Sequence, residues 1–135
     1  MSYNVLIVDD SSVVRTVVRK TIEMSGIEMA SVHEAANGKE ALEVLNKEWI
    51  DIVFADLNMP EMGGVELVQK MSEDSLLVST PVVIISSERR EKRITELKER
   101  GIRAYIKKPF RPESFANVVT KVLKDIDAEG ANNVG

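Results

Sequence analysis

Five side chains with chemistry to offer stand at the ends of apolar runs in this 135-residue sequence. Asp9 and Asp10 follow Asn4–Val8 (NVLIV), and Asp56 follows Ile50–Ala55 (IDIVFA). Ser86 closes Pro81–Ser86 (PVVIIS), and Lys108 lies just past Ala104–Lys107 (AYIK). One carboxylate at such a place is an ordinary accident in an acidic chain. The whole set, with an ammonium opposite, is not. Three carboxylates brought together repel one another and rise in pKa unless a cation relieves them. Oxygen donors without Cys or His suit Mg2+ or a similar hard ion such as Mn2+. Mg2+ is commonly held by one or two carboxylates plus phosphate oxygens, so the set is suited to a phosphoryl group. Lys108 would then bring a point positive charge to the oxygens the metal does not reach. A carboxylate can itself be the nucleophile, giving an aspartyl phosphate. Asp56 is the favoured acceptor because it ends what reads as a central, buried strand, although spacing alone does not choose among the three aspartates.

The elements that must position these groups are legible as five apolar runs alternating with helix-period segments. Met29–His33 (MASVH) is the remaining run. The first, third and fourth are nearly continuously apolar and rich in β-branched residues, as in strands covered on both faces. Between the runs, Val14, Val17, Val18 and Ile22 share one helical face, and Gly26 stands where that helix would stop. Ala41, Leu42 and Leu45 mark a second helix after Asn37-Gly38, Leu67, Val68 and Met71 a third, and Ile94 and Leu97 a fourth. Pro112 opens the last, followed by Phe115, Val118, Val119, Val122, Leu123 and Ile126. The alternation predicts an α/β fold, (βα)5, with a doubly wound parallel sheet and right-handed crossovers. In such a sheet ligands sit beyond the carboxyl ends of the strands, where the polar set falls. Ser11 and Ser12 are expected to cap the first helix, and Trp49 to pack at a helix–strand junction. His33 reads as a strand residue rather than a ligand. Residues 1–127 are expected to form one domain, and Ala128–Gly135 (AEGANNVG) a frayed, disordered tail.

Composition narrows the function classes. There is no cysteine, hence no disulfide scaffold or thiolate chemistry, and the single histidine leaves no imidazole cage. No apolar run approaches the roughly 20 residues of a membrane span, and the start MSYNVLIVDD has no basic leader, so a soluble, cytoplasmic protein is expected. The net charge of −4 is unevenly spread. Residues 1–87 carry 6 basic and 14 acidic side chains, residues 88–111 carry 10 and 4, and the rest 2 and 4. The basic segment reads as a solvated helix face or as a docking face for an acidic partner. Nucleic acid is not expected, given the overall negative charge and 4% aromatics.

The ordered pieces VLIVDDSS, DLNMPEMGGVEL, PVVIISSE and AYIKKPF resemble the receiver domains of two-component response regulators, of the CheY-like, single-domain kind. The resemblance covers residues 4–126. It implies a flavodoxin-like sheet of order 2-1-3-4-5 and a phosphoryl group accepted by Asp56 from a sensor histidine kinase or phosphotransfer protein. It further implies Mg2+ (or Mn2+) held by Asp9, Asp10, Asp56 and the backbone carbonyl of Asn58. By the same resemblance Ser86 and Lys108 contact the phosphoryl group, Tyr105 is the aromatic switch, and Asn58 and Glu88 tune loss of the phosphoryl group. The Lys108–Pro109 bond is implied to be cis. A downstream protein would read the face made by the fourth helix, fifth strand and fifth helix, the molecule being a monomer or weak dimer without membrane insertion. With no output domain expected, that face itself would carry the signal, in chemotaxis or a phosphorelay. Two departures stand out: Gly63-Gly64 where the motif usually ends Asp-Gly, and Leu57 where the chemotaxis member carries an aromatic. A phosphorylation-inert receiver acting only as an interaction module is the main alternative. A phosphotransferase of the haloacid dehalogenase type is disfavoured because it needs Asp-x-Asp where this chain has Asp56-Leu57-Asn58. A flavin protein is disfavoured because Asp9-Asp10 would repel the cofactor phosphate.

Overall fold

The computed structural model describes the backbone of residues 2–134 and the side chains of residues 2–128. Five strands alternate with five helices: β1 (Tyr3–Val8), α1 (Ser12–Met24), β2 (Met29–Ala35), α2 (Gly38–Lys47), β3 (Ile52–Ala55), α3 (Gly64–Ser72), β4 (Val82–Ser86), α4 (Glu91–Glu99), β5 (Ala104–Lys107) and α5 (Pro112–Val134). The strands form one parallel sheet in the order β2-β1-β3-β4-β5. Chain order reverses direction at β1, between β2 and β3, and this is where an open parallel sheet leaves a crevice.

Side-chain alternation splits the core in two. Val5, Ile7, Ile52, Phe54, Val83 and Ile85 face α1 and α5, where they meet Val18, Ile22, Phe115 and Val119. Leu6, Val8, Val53, Ala55, Val82 and Ile84 face the other layer, against Ala41, Leu45, Leu67, Met71 and Leu97. Both faces of β1, β3 and β4 are therefore apolar, the physical reason their sequences read as unbroken hydrophobic runs. Phe54 and Phe115 stack at a centroid separation of 5.7 Å, pinning α5 to the central strand.

Local capping sets where the helices begin. Ser11 Oγ accepts from the amide of Val14 at 3.2 Å. Asn37 Oδ1 accepts from the amide of Glu40 at 2.9 Å, while Glu40 reaches back to the amide of Ala36. Gly26 follows α1 with φ of +78°, a left-handed value that a side chain would strain.

The tail expected from residue 128 falls where α5 continues over 128–134; residue 135 lies outside the described residues. No proline interrupts AEGANNV, and a lone glycine weakens a helix without ending it. Trp49 does lie between α2 and β3, but its side chain is 78% exposed, and its indole Nε1 donates to Asp51 Oδ1 at 3.0 Å. A sequence shows that a tryptophan sits at a junction, not which side of it faces water.

Candidate functional site

Register brings the first two carboxylate positions together. Val8 is the register partner of Ala55, so the residues that follow, Asp9 and Asp56, leave neighbouring strands at the same level. The amides continue the pairing for one more step: Asp9 N–H donates to the carbonyl of Ala35, and Asp56 N–H to the carbonyl of Val8. Carboxylate oxygens of Asp9, Asp10 and Asp56 all lie within 4.8 Å of one another, with Asp9 buried, Asp56 half-buried and Asp10 exposed. Asp9 is turned inward by the amide of Ser11, which donates to its Oδ1 at 2.9 Å, and by Arg15, which bridges the Asp9 carbonyl to Glu34.

Lys108 arrives from the other side of the crevice. Its Nζ is 3.5 Å from Asp9 Oδ2 and 3.9 Å from Asp56 Oδ1. One ammonium against three carboxylates leaves the pocket net negative, with only oxygen donors and room on its exposed side. That donor set fits a hard divalent cation and no softer metal. Burial pushes the Asp56 carboxyl above its ordinary value, and the charges of Asp9 and Asp10 push the same way. Lys108 and the amide of Leu57, which donates to Asp56 Oδ1 at 2.9 Å, pull it back. The Lys108–Pro109 peptide is cis.

Asn58, on the loop after Asp56, is exposed and follows directly behind the acceptor position and Leu57. That loop returns tightly to α3. A Cβ on Gly64 would lie 2.5 Å from the carbonyl oxygen of Asp56, and one on Gly63 would lie 2.5 Å from that of Leu57. Gly64 N–H donates to that same Leu57 oxygen at 2.9 Å. The glycine pair is thus a close-approach requirement rather than a source of slack.

Ser86 is fully buried at the end of β4, and its Oγ accepts from the amide of Glu88 at 3.3 Å. Tyr105, half-buried on β5, donates its hydroxyl to the carbonyl of Glu88 at 2.9 Å. Burial raises the Tyr105 phenol, and the Ser86 hydroxyl beside it works in the opposite direction. Glu88 is held by Arg90, whose Nε and Nη2 meet its two carboxylate oxygens at 2.9 and 2.8 Å. These hydrogen bonds draw the Glu88 carboxyl down to about 2.

The structure therefore brings Asp9, Asp10, Asp56 and Lys108 into one pocket. Ser86, Glu88 and Tyr105 form a connected group on its β4–β5 side. Sequence reasoning missed Arg15 and Arg89, whose Nη2 donates to the carbonyl of Lys108 at 3.1 Å. Neither carries a local signal separating it from any other surface arginine; their roles exist only once strands and loops are assembled. Among the described residues no helix is long and apolar enough to cross a membrane.

Comparison with known proteins gives a consistent placement. A family model described as the response regulator receiver domain matches residues 5–120. The two-component response regulator ORR11 of Oryza sativa is 40% identical over 121 residues, which is 89% of this chain and 80% of that protein. A chemotaxis protein CheY homolog of Campylobacter jejuni is 34% identical over 127 residues, covering 93% of this chain and 96% of that one. The chemotaxis response regulator CheY4 of Vibrio cholerae superposes with a TM-score of 0.75 at 33% identity, covering 93% of this chain and 99% of that one. An acidic crevice at the sheet's point of reversal, an opposed lysine and a family match spanning most of the sequence agree: the chain belongs to the receiver domains of two-component response regulators.

Proposed function

We propose that this chain accepts a phosphoryl group on Asp56 from the phosphohistidine of a sensor kinase or phosphotransfer protein, and passes the signal on through the surface of α4, β5 and α5. The convergence of the Asp9, Asp10 and Asp56 carboxylates under the ammonium of Lys108 carries this reading. In the transfer an Asp56 carboxylate oxygen forms the new bond to phosphorus as the imidazole–phosphorus bond breaks, the imidazole nitrogen keeping the electron pair. Mg2+ (or Mn2+), held by Asp9, Asp10, Asp56 and the Asn58 carbonyl, would offset charge on the phosphoryl oxygens. Asp9 is locked by Ser11 and Arg15, so it keeps its orientation as the charge of the pocket changes. Lys108, among the described residues the single ammonium facing these acids, would hold a phosphoryl oxygen.

The new oxygens act on the β4 side. Ser86 Oγ is an acceptor for Glu88 N–H, and a phosphoryl oxygen would draw the hydroxyl toward Asp56. Glu88 also holds Tyr105, so a shift of Ser86 reaches α4 and β5 through two hydrogen bonds. A face repacked in this way needs a differential free energy of about a few kcal/mol between the two forms. Reset follows when water attacks phosphorus and the Asp56 oxygen leaves with phosphate as the product. Asn58 and Glu88, at the rim, are placed to tune that step.

The test is incubation with a small-molecule phosphodonor and Mg2+, read by intact mass. A single acid-stable, base-labile phosphoryl adduct that disappears in Asp56→Asn is expected. Full labelling of Asp56→Asn overturns the assignment. No labelling in the wild-type chain supports the inert-module alternative, and continuous turnover of phosphate esters supports a phosphotransferase.

A further inference from the structure

Three of the exposed large hydrophobic side chains cluster at the end of the sheet opposite the carboxylates. Trp49 is 78% exposed, Leu76 is 85% and Val78 is 57%. Trp49 precedes β3, and Leu76 and Val78 lie in the connection from α3 to β4, so all three sit by the amino ends of the central strands. The four residues of β3 separate this end from Asp56 by about 13 Å. Trp49 and Leu76 wall an open groove of about 370 Å³, whose apolar lining also includes Leu45, Ile50, Leu77, Pro81 and Ile126. An aromatic and two aliphatics left in water beside such a groove mark an interaction site rather than scattered surface residues.

Charge selects the occupant. The charged residues lining the groove are Glu48 and Asp51, and no lysine or arginine lines it. Glu73 and Asp74 precede Leu76 on the same connection. Among the described residues none of these four acids takes part in an ion pair. Asp51 is held at the rim by the indole of Trp49 and by the amide of Asn4 at 2.7 Å, hydrogen bonds that fix it without neutralising it. Such a rim repels nucleic acid and anionic bilayers and attracts cations. An apolar floor inside an acidic rim matches a helix with one apolar stripe flanked by lysines or arginines. We propose that this groove docks a basic amphipathic helix of a partner protein, with apolar side chains over Trp49 and Leu76 and basic ones against Glu48 and Asp51. Because it is remote from Asp56, the site works in both phosphorylation states.

Trp49 is the only tryptophan in the chain, so its emission reports on the groove alone. The full chain is titrated with a tryptophan-free Leu/Lys amphipathic helical peptide and, separately, with a Leu/Glu peptide of the same apolar pattern. The Leu/Lys peptide is expected to give a saturable blue shift with half-saturation at about tens of micromolar, weakened several-fold by 0.5 M salt, an order-of-magnitude expectation for a small charged interface. The Leu/Glu peptide should give none. Leu76→Asp should abolish the shift, although it adds negative charge and would strengthen mere electrostatic adhesion. Glu48→Lys should weaken binding about ten-fold. Mg2+ with beryllofluoride should leave the titration unchanged, and Asp56→Asn should bind like the wild type, so failure here leaves the phosphoryl reading untouched. An equal response to both peptides, persistence in Leu76→Asp, or no shift at all overturns the proposal. A blue shift on concentrating the chain without peptide also overturns it, assigning the groove to a second copy.

Discussion

The hydroxyl of Tyr105 donates to the backbone carbonyl of Glu88 across 2.9 Å, tying β5 to the loop that enters α4. The same residue's amide is bonded to Ser86 Oγ, so Glu88 is the shared joint between the buried hydroxyl and the aromatic ring. Tyr105→Phe removes one arm of that joint while leaving the ring to pack. A loss of about 1 kcal/mol in stability is expected. Hydrogen exchange over residues 87–91 should accelerate, while phosphoryl labelling of Asp56 keeps its wild-type extent. Protection unchanged over those residues would show that the hydroxyl does not restrain the loop.

Lys108 is the one ammonium within 4.0 Å of the Asp9 and Asp56 carboxylates among the described residues. Lys108→Met should therefore make the apo pocket more negative and tighten Mg2+ binding several-fold, measured by calorimetry at low salt. Without metal the variant should be less stable by about 1 kcal/mol, a figure kept small because the lysine is partly solvated. A weaker Mg2+ affinity would mean that the lysine helps assemble the acidic cluster rather than opposing metal charge there.

Asp56 carries a native-state cost at neutral pH. Its folded pKa lies above the ordinary aspartate value, chiefly through burial, so the unfolded chain ionises first as pH rises. The group's favourable contribution is thus present below the ordinary carboxylate range and is lost as pH climbs through the folded value. Asp56→Asn removes the burden, and metal-free variant protein at pH 7 should melt higher by about a few degrees at most, because solvent at the half-buried site screens the effect. The difference should shrink toward pH 4. A variant that melts lower at pH 7 would show that the carboxylate is stabilised by its neighbours instead.

Two glycines test close approach against backbone freedom. Gly64→Ala places a methyl 2.5 Å from the Asp56 carbonyl oxygen, and the loop carrying the acceptor must move. A cost of about 1–3 kcal/mol and slowed phosphoryl labelling are expected. Gly26→Ala meets no atom within 4 Å but sits at φ +78°, so it should cost about 1 kcal/mol with labelling unchanged. Chemical denaturation paired with labelling rates separates the two; equal rates in both variants would clear the Gly63-Gly64 turn of any part in positioning Asp56.

Much of this was legible in one dimension. Strands buried on both faces must be apolar at every position, so NVLIV, IVFA and VVIIS announce a parallel sheet, and alternation with helical periods supplies its connectivity. Polar residues that end such runs can only emerge at the sheet's carboxyl edge, and for that reason Asp9, Asp56, Ser86 and Lys108 could be grouped before any coordinate was known. The caps at Ser11 and Asn37 are equally local, each spanning three residues.

What the tertiary structure alone decided depends on pairings that no spacing encodes. Val8 facing Ala55 in register puts two aspartates level, and a shift of the pairing would separate them without altering a single residue. The anchoring of Asp9 by Arg15 and of the Lys108 carbonyl by Arg89 joins groups on different elements. The need for glycine at 63 and 64 comes from carbonyls six and eight positions upstream, at Leu57 and Asp56, that fold back against them. Trp49 is the clearest case: hydrophobicity by itself argued for burial, but among the described residues the ring finds no cover at the groove beside β3 and remains 78% exposed. Local periodicity reports what must be hidden somewhere; only the assembled sheet determines which surfaces run out of neighbours to hide them.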